Sequence, residues 1–154
     1  MNAPASIRLK TIELAGQSVG VREDTRPNWG RWVSIYLTTA GIAFPAPWCA
    51  AFVAYKIHQA GERLGVPVRW PRKMPWATSS SMLYLWARRE GLLLDRPIPG
   101  CVFLVRGGPT GYRHTGLVHS VDGNGDVLTI EGNIRDSVIR GRRRNSGLVF
   151  IRIA

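Results

Sequence analysis

The stretch "HTGLVHSVDGNGDVLTIEGN", residues 114–133, decides what the second half of this chain must be. Two runs rich in Val, Ile, Leu and Thr, residues 115–121 and 127–131, flank Asp122-Gly123-Asn124-Gly125. Residues of those types accept the positive φ angles of a tight reversal, so the stretch reads as an antiparallel hairpin. Moving outward, residues 101–105 and 147–153 have the same apolar, β-branched character, and residues 137–140 form a weaker candidate strand. Gly107-Gly108-Pro109 and the span 141–147 supply the intervening turn signals.

Upstream of "DRPIPG" (residues 95–100) the period changes from two to 3.6. Ile12, Ala15 and Val19 fall on one face of a first helix, and Trp32, Ile35 and Tyr36 cluster on a second. Pro27 and Gly30 separate them. A third helix lies in "PWCAAFVAYKIHQAG", residues 47–61, where Phe52, Val53, Ile57 and Ala60 form the apolar stripe and Gly61 is placed to stop it. In the fourth, residues 79–81 offer serine caps, Met82, Leu83 and Trp86 give the stripe, and Gly91 ends it. Helices followed by antiparallel strands, with no Pro/Gly/Ser linker between them, predict one α+β domain over residues 1–154.

The chain has 154 residues, 45% of them apolar, enough for a real core. Residues 1–20 lack the apolar run of a secretory signal, and no segment is long enough to span a bilayer, which predicts synthesis as a soluble cytoplasmic chain; a monomer is expected. Cys49 and Cys101 are too few for a disulfide framework and are read as free thiols. A net charge of +11 predicts an anionic partner: nucleic acid, lipopolysaccharide, an anionic lipid surface or a charged wall polymer.

Chemistry concentrates on Cys49. A thiol at a helix entrance meets the positive end of the helix dipole and unpaired N–H groups, which favour the thiolate, although a small buried hydrophobe is the simpler use of a cysteine. Of three histidines, His58 lies nine residues along the same helix, roughly 13 Å farther down its axis, too far to serve as base. His114 and His119 share a strand but differ by an odd number, so regular alternation turns only one of them to a cleft. His114 is preferred because it opens the strand beside "RGGPTGYR", and Thr115-Gly116 after it leave room for a substrate. Glu131 returns beside His114 across the hairpin, where a carboxylate ending an apolar strand needs a cationic or N–H partner; a solvent-facing strand end is the alternative.

"PWCAAFVAYKIHQAG", "PIPGCVFLV", "RHTGLV" and "TIEGN", in this order and spacing, resemble the CHAP family of cysteine- and histidine-dependent amidohydrolases/peptidases. The resemblance runs from about Asn28 to Asn133. It implies a papain-like fold in which the nucleophile's helix packs on an antiparallel sheet, with Cys49 as nucleophile, His114 as general base, Glu131 as orienting group and Asn133 as an accessory polar group near the imidazole. Peptidoglycan is the implied substrate and no cofactor or metal is implied. Where relatives usually carry an acidic residue after Pro-Gly this chain has Cys101, read as a buried small residue or a second redox-active thiol. Where they carry Gly before the histidine it has Arg113, whose charge should favour the neutral imidazole. With no Gln or Asn just upstream of Cys49, its own backbone N–H is the nominated oxyanion donor.

"DGNGD", residues 122–126, imitates the start of a calcium loop, but Val127 stands where glycine is required and Asn133 where the bidentate Glu should fall, so a turn explains it better. No Cys/His spacing suits zinc. Arg140, Arg142, Arg143 and Arg144 are read as a solvated hairpin tip. Trp48 and Trp76 are assigned to the substrate cleft, and Trp70 with Trp76 are candidates for stacking on sugar faces. The leading expectation is a peptidoglycan amidase or endopeptidase, a phage lysin or secreted antibacterial effector working in the periplasm or at the wall, with lipopolysaccharide as an anionic surface and an inhibitor or immunity protein as further partners. The rivals are a cysteine peptidase or amidase on a non-wall substrate and a basic nucleic-acid-binding domain with a structural thiol. The last is disfavoured because aromatic residues are not interleaved with the arginines.

Overall fold

A computed structural model describes residues 2–154. Four helices precede a six-stranded sheet: α1 (Ala3–Gly16), α2 (Arg31–Thr39), α3 (Cys49–Leu64) and α4 (Ser80–Arg89), then β1 (Leu93–Leu94), β2 (Val102–Arg106), β3 (Tyr112–Val121), β4 (Val127–Ile134), β5 (Ser137–Arg143) and β6 (Leu148–Ile151). The sheet order is β1-β6-β2-β3-β4-β5, and every pairing is antiparallel. This is the expected α+β architecture, compatible with a papain-like fold.

Helix α3 is the centre of the molecule. It packs against α1 and α2 on one side and β3 and β4 on the other, so Phe52, Val53, Ile57 and Ala60 are all fully buried. It runs past Gly61, contrary to the sequence expectation, and stops at Gly65, whose φ of 66° is the left-handed conformation of a helix cap. Gly61 is needed inside the helix for space. A Cβ there would lie 2.8 Å from Val68 Cγ1 and 2.9 Å from the Val66 carbonyl oxygen. The stripe expected for α1 is rotated: Ile7, Thr11, Leu14 and Ala15 are buried, whereas Val19 lies beyond the helix and is exposed. On α2, Val33, Tyr36 and Leu37 face inward and Trp32 faces out. Ser79 caps α4 by accepting from the Met82 N–H, as its sequence suggested.

Alternation along the strands sorts two apolar layers. Val102, Leu104, Leu117, Ile130 and Ile151 join the helix-side core. Cys101, Phe103, Val105, Val118, Val127 and Phe150 form a second cluster on the other face. Three one-residue irregularities interrupt the ladders. Between β2 and β3 the extra residue is Arg113, between β3 and β4 it is His119, and on β4 it falls within Gly132-Asn133. The β3–β4 turn is held by Asp122 Oδ1, which accepts from the N–H groups of Asn124 (2.8 Å) and Asp126 (3.1 Å).

Two sequence expectations change here. Arg140, Arg142 and Arg143 are not at a hairpin tip: β5 extends through Arg143, and only the exposed Arg144 falls in the turn beyond it, which is closed by Leu148 N–H donating to the Asn145 carbonyl. The reason is pairing with β4, which places Thr129 opposite Gly141 and Val127 opposite Arg143. The two-residue strand β1 has no sequence signature and exists because β6 offers it an edge.

Candidate active site

The thiol of Cys49 stands at the first position of α3, where an N–H has no carbonyl within the helix to bond. The chain enters through Trp48, fully buried, whose Nε1 donates to Glu23 Oε1 at 2.9 Å. Glu23 Oε2 accepts from the Asn28 N–H at 2.9 Å, so one carboxylate ties the α1–α2 connection to the entrance of α3. Trp48 also packs on Tyr36 and Phe52. Its assignment to the cleft is therefore corrected: no face is left for a substrate, because the indole fixes the helix that carries the thiol. Trp70 is buried likewise, edge-on to Trp86, whereas Trp76 is 39% exposed.

His114 on β3 lies beside the Cys49 thiol, near enough for each group to shift the other's titration. Its Nε2 meets Glu131 Oε1 at 2.9 Å, which leaves Nδ1 for the sulfur. Burial alone would push the thiol up, but the hydrogen bond and charge of His114, with the backbone N–H groups of Thr115 and Ala50, pull it below the ordinary cysteine value. Burial opposes charge on His114 as well, and Cys49 and Glu131 overcome it, raising the imidazole to about 9. Both shifts run toward a thiolate–imidazolium pair. Arg113 does not hold the ring neutral as its charge had suggested; Cys49 and Glu131 raise it instead.

Glu131 is 2% exposed and every part of it is engaged. Thr129 Oγ1 donates to Oε2 at 2.5 Å, and Arg143 grips both oxygens, with Nη2 to Oε1 at 2.7 Å and Nε to Oε2 at 3.0 Å. Burial raises a carboxyl, yet these donors hold this one down at about 2. His114 and Glu131 are not directly opposite. The register that pairs Leu117 with Ile130 sets Gly116 beside Glu131, so the carboxylate crosses a residue without a side chain to reach the ring. A Cβ on Gly116 would fall 2.7 Å from Phe103 ring atoms and 3.1 Å from Glu131 Cγ. The room expected at Gly116 for a substrate is occupied by these two side chains.

Sequence reasoning missed Arg143 and Gly141. Both lie on the same face of β5, and Arg143 extends over Gly141 with its guanidinium 5.4 Å from the Phe103 ring centroid. A Cβ at Gly141 would sit 2.9 Å from Glu131 Oε2. The only sequence signal was a Gly two residues before an Arg, in a span read as a turn, and it means nothing until the β4–β5 register is known. Asn133 occupies the irregular end of β4 with φ 64°, half-buried, and Glu131 rather than Asn133 holds the imidazole Nε2. His58 is turned away, its Nε2 3.2 Å from the Pro71 carbonyl oxygen, as its place on α3 required. His119 is exposed and bonds Ser120 Oγ. Cys101 is buried and its thiol is pushed up to about 11 by that burial, the mark of a packing residue.

A thiol at a helix entrance, an imidazole on the adjacent strand and a buried carboxylate behind it form the arrangement of cysteine hydrolases that work through a histidine. A family model for the CHAP domain matches residues 41–133, which hold Cys49, His114, Glu131 and Asn133; the chain belongs to the CHAP family and is a cysteine- and histidine-dependent amidohydrolase/peptidase. No curated protein and no solved structure matches it. Among the described residues, no cluster of His, Cys, Asp and Glu could hold a metal ion, and no helix is long and apolar enough to cross a membrane.

Proposed function

We propose that this protein hydrolyses an amide bond of peptidoglycan, in the peptide stem or at its junction with the glycan, with Cys49 as nucleophile, His114 as acid and base, and Glu131 as the group that orients the ring. The observation that carries this reading is the row in which the Cys49 thiol lies beside the His114 imidazole and the far nitrogen of that ring meets Glu131 Oε1 at 2.9 Å. The Cys49 thiolate attacks the carbonyl carbon, and the electron pair displaced onto oxygen faces the free Cys49 N–H at the α3 entrance. His114 Nδ1–H protonates the departing amine nitrogen as the C–N bond breaks, leaving a thioester. His114 then takes a proton from water, the hydroxide attacks the thioester carbon, and the thiolate departs. Glu131 stays ionised throughout, fixing the tautomer and stabilising the imidazolium.

Such an enzyme acts at the wall or in the periplasm, as a phage lysin or a secreted effector does. The test is digestion of purified sacculi by wild type, Cys49→Ala and His114→Ala, with new amine ends identified by mass spectrometry. Wild type should release soluble muropeptides and both variants should release none. Equal release by all three rejects the catalytic assignment. Intact sacculi alongside cleavage of a protein or simple amide transfers the same chemistry to a non-wall substrate.

A further inference from the structure

Beside Arg143, which holds Glu131, lies a groove of about 450 Å³ lined by Arg106, Arg113, Arg142, Arg143 and Arg144 together with Val105 and Leu148. Two of these cations are already spoken for. Arg143 is bound to Glu131, and Arg142 pairs with Asp122 and Asp126. Among the described residues, Arg106, Arg113 and Arg144 have no carboxylate partner. Arg106 donates to the Tyr112 hydroxyl at 3.3 Å. Arg113 is the extra residue of the β2–β3 irregularity, a device that takes a side chain out of alternation, and it packs along Gly107, whose Cβ would lie 3.3 Å from Arg113 Cδ. Arg144 follows the end of β5 and is exposed.

Like charges gathered in one groove repel one another unless an anion joins them, and guanidinium groups match the planar fork of a carboxylate. The groove adjoins the catalytic row, since Arg143 both lines it and holds Glu131. It presents no aromatic platform for a nucleobase: Tyr112, the ring beside Arg106, is stacked on Tyr84 with centroids 4.6 Å apart. We infer that this arginine groove is an anion subsite that binds a carboxylate-bearing part of a peptide substrate on the Arg143 side of Glu131, with Arg113 and Arg144 as the residues that receive it. The inference rests on the hydrolase reading above for its substrate class, and it adds a selection for acidic over neutral peptides that the catalytic row alone does not provide.

Binding can be measured without turnover. In Cys49→Ala protein, titration calorimetry compares acetyl-Ala-Glu-Ala-Glu-Ala-amide with the same peptide carrying Gln for Glu. One charge-assisted pair gained in a partly screened groove is expected to make the Glu peptide bind about tenfold more tightly at low salt. Adding Arg113→Gln and Arg144→Gln should reduce that preference to under about twofold, whereas Arg88→Gln with Arg96→Gln, which removes equal charge elsewhere, should leave it intact. If the double variant is not folded by circular dichroism, Arg144→Gln alone, outside any helix or strand, repeats the comparison. Equal binding of the two peptides, survival of the preference without Arg113 and Arg144, or equal loss in the Arg88/Arg96 control each overturns the subsite. Because no bond is cut in this assay, its result is independent of whether sacculi are digested.

Discussion

Replacing Gly141 by Ala probes the site through one methyl group. Gly141 has an ordinary strand conformation, so its backbone tolerates a side chain, and only contact decides the outcome. The new Cβ would be 2.8 Å from Thr129 Oγ1 and 2.9 Å from Glu131 Oε2, where real contacts stay beyond 3.0 Å and are ordinary from 3.4 Å. The carboxylate must therefore retreat by roughly half an ångström, and it is held on three sides by His114, Thr129 and Arg143. Losing one charge-assisted bond costs about 1.5–3 kcal/mol, and a displacement of this order at an orienting group lowers kcat roughly tenfold to a hundredfold. The assay is kcat and KM on released muropeptides, with the ¹⁵N shifts of the His114 imidazole followed by NMR. kcat should fall with KM little changed, and the His114 pKa should drop toward the ordinary histidine value as its anionic partner moves off. Wild-type kcat together with an unshifted His114 titration would refute the claim that the bare α-carbon at 141 makes room for Glu131.

The thiolate pair predicts rapid alkylation of Cys49 by iodoacetamide at pH 7, slowed on His114→Ala, while buried Cys101 stays unlabelled until unfolding; equal labelling of both thiols in the native protein would contradict this. Stability should depend on pH at both ends. Glu131 is depressed to about 2, so its contribution is present above the ordinary carboxyl value and is lost as pH falls from about 4.5 toward 2, whereas His114 is raised to about 9, so its contribution is complete below about 6.5 and is lost as pH rises toward 9. Arg143→Gln should flatten the acid limb in denaturant titrations, and an unchanged acid limb would show that Arg143 does not hold Glu131 down. Trp48→Phe removes a buried hydrogen bond to Glu23 and part of a fully packed ring, so thermal unfolding should report a loss of about 2–3 kcal/mol; no change in Tm would mean that Glu23 does not anchor the α3 entrance.

Much of the fold was legible because periodicity is a local property. The 3.6-residue stripe of α3 and the turn at residues 122–125 announce themselves within a window of a few residues, and both hold in the structure. Boundaries failed where a neighbour overrode a local signal. Gly61 looks like a stop, yet tight packing against Val66 and Val68 uses its missing side chain, and the true cap is Gly65. The arginines of residues 140–143 look like a solvated tip until β4 recruits them into a strand. Trp48 looked available to the substrate cleft because a sequence does not say which indole is covered.

The sequence by itself determined the types of element, their order, and the presence of a thiol, an imidazole and a carboxylate at places where chemistry needs them. Each of those depends on residues close together in the chain. Only the tertiary structure decided that His114 and Glu131 meet diagonally across Gly116, that Arg143 reaches the same carboxylate over Gly141, and that Trp48 supports the site from beneath instead of lining it. These outcomes depend on strand register, and register is fixed by one-residue irregularities and by packing between segments far apart in the chain, which no local window contains.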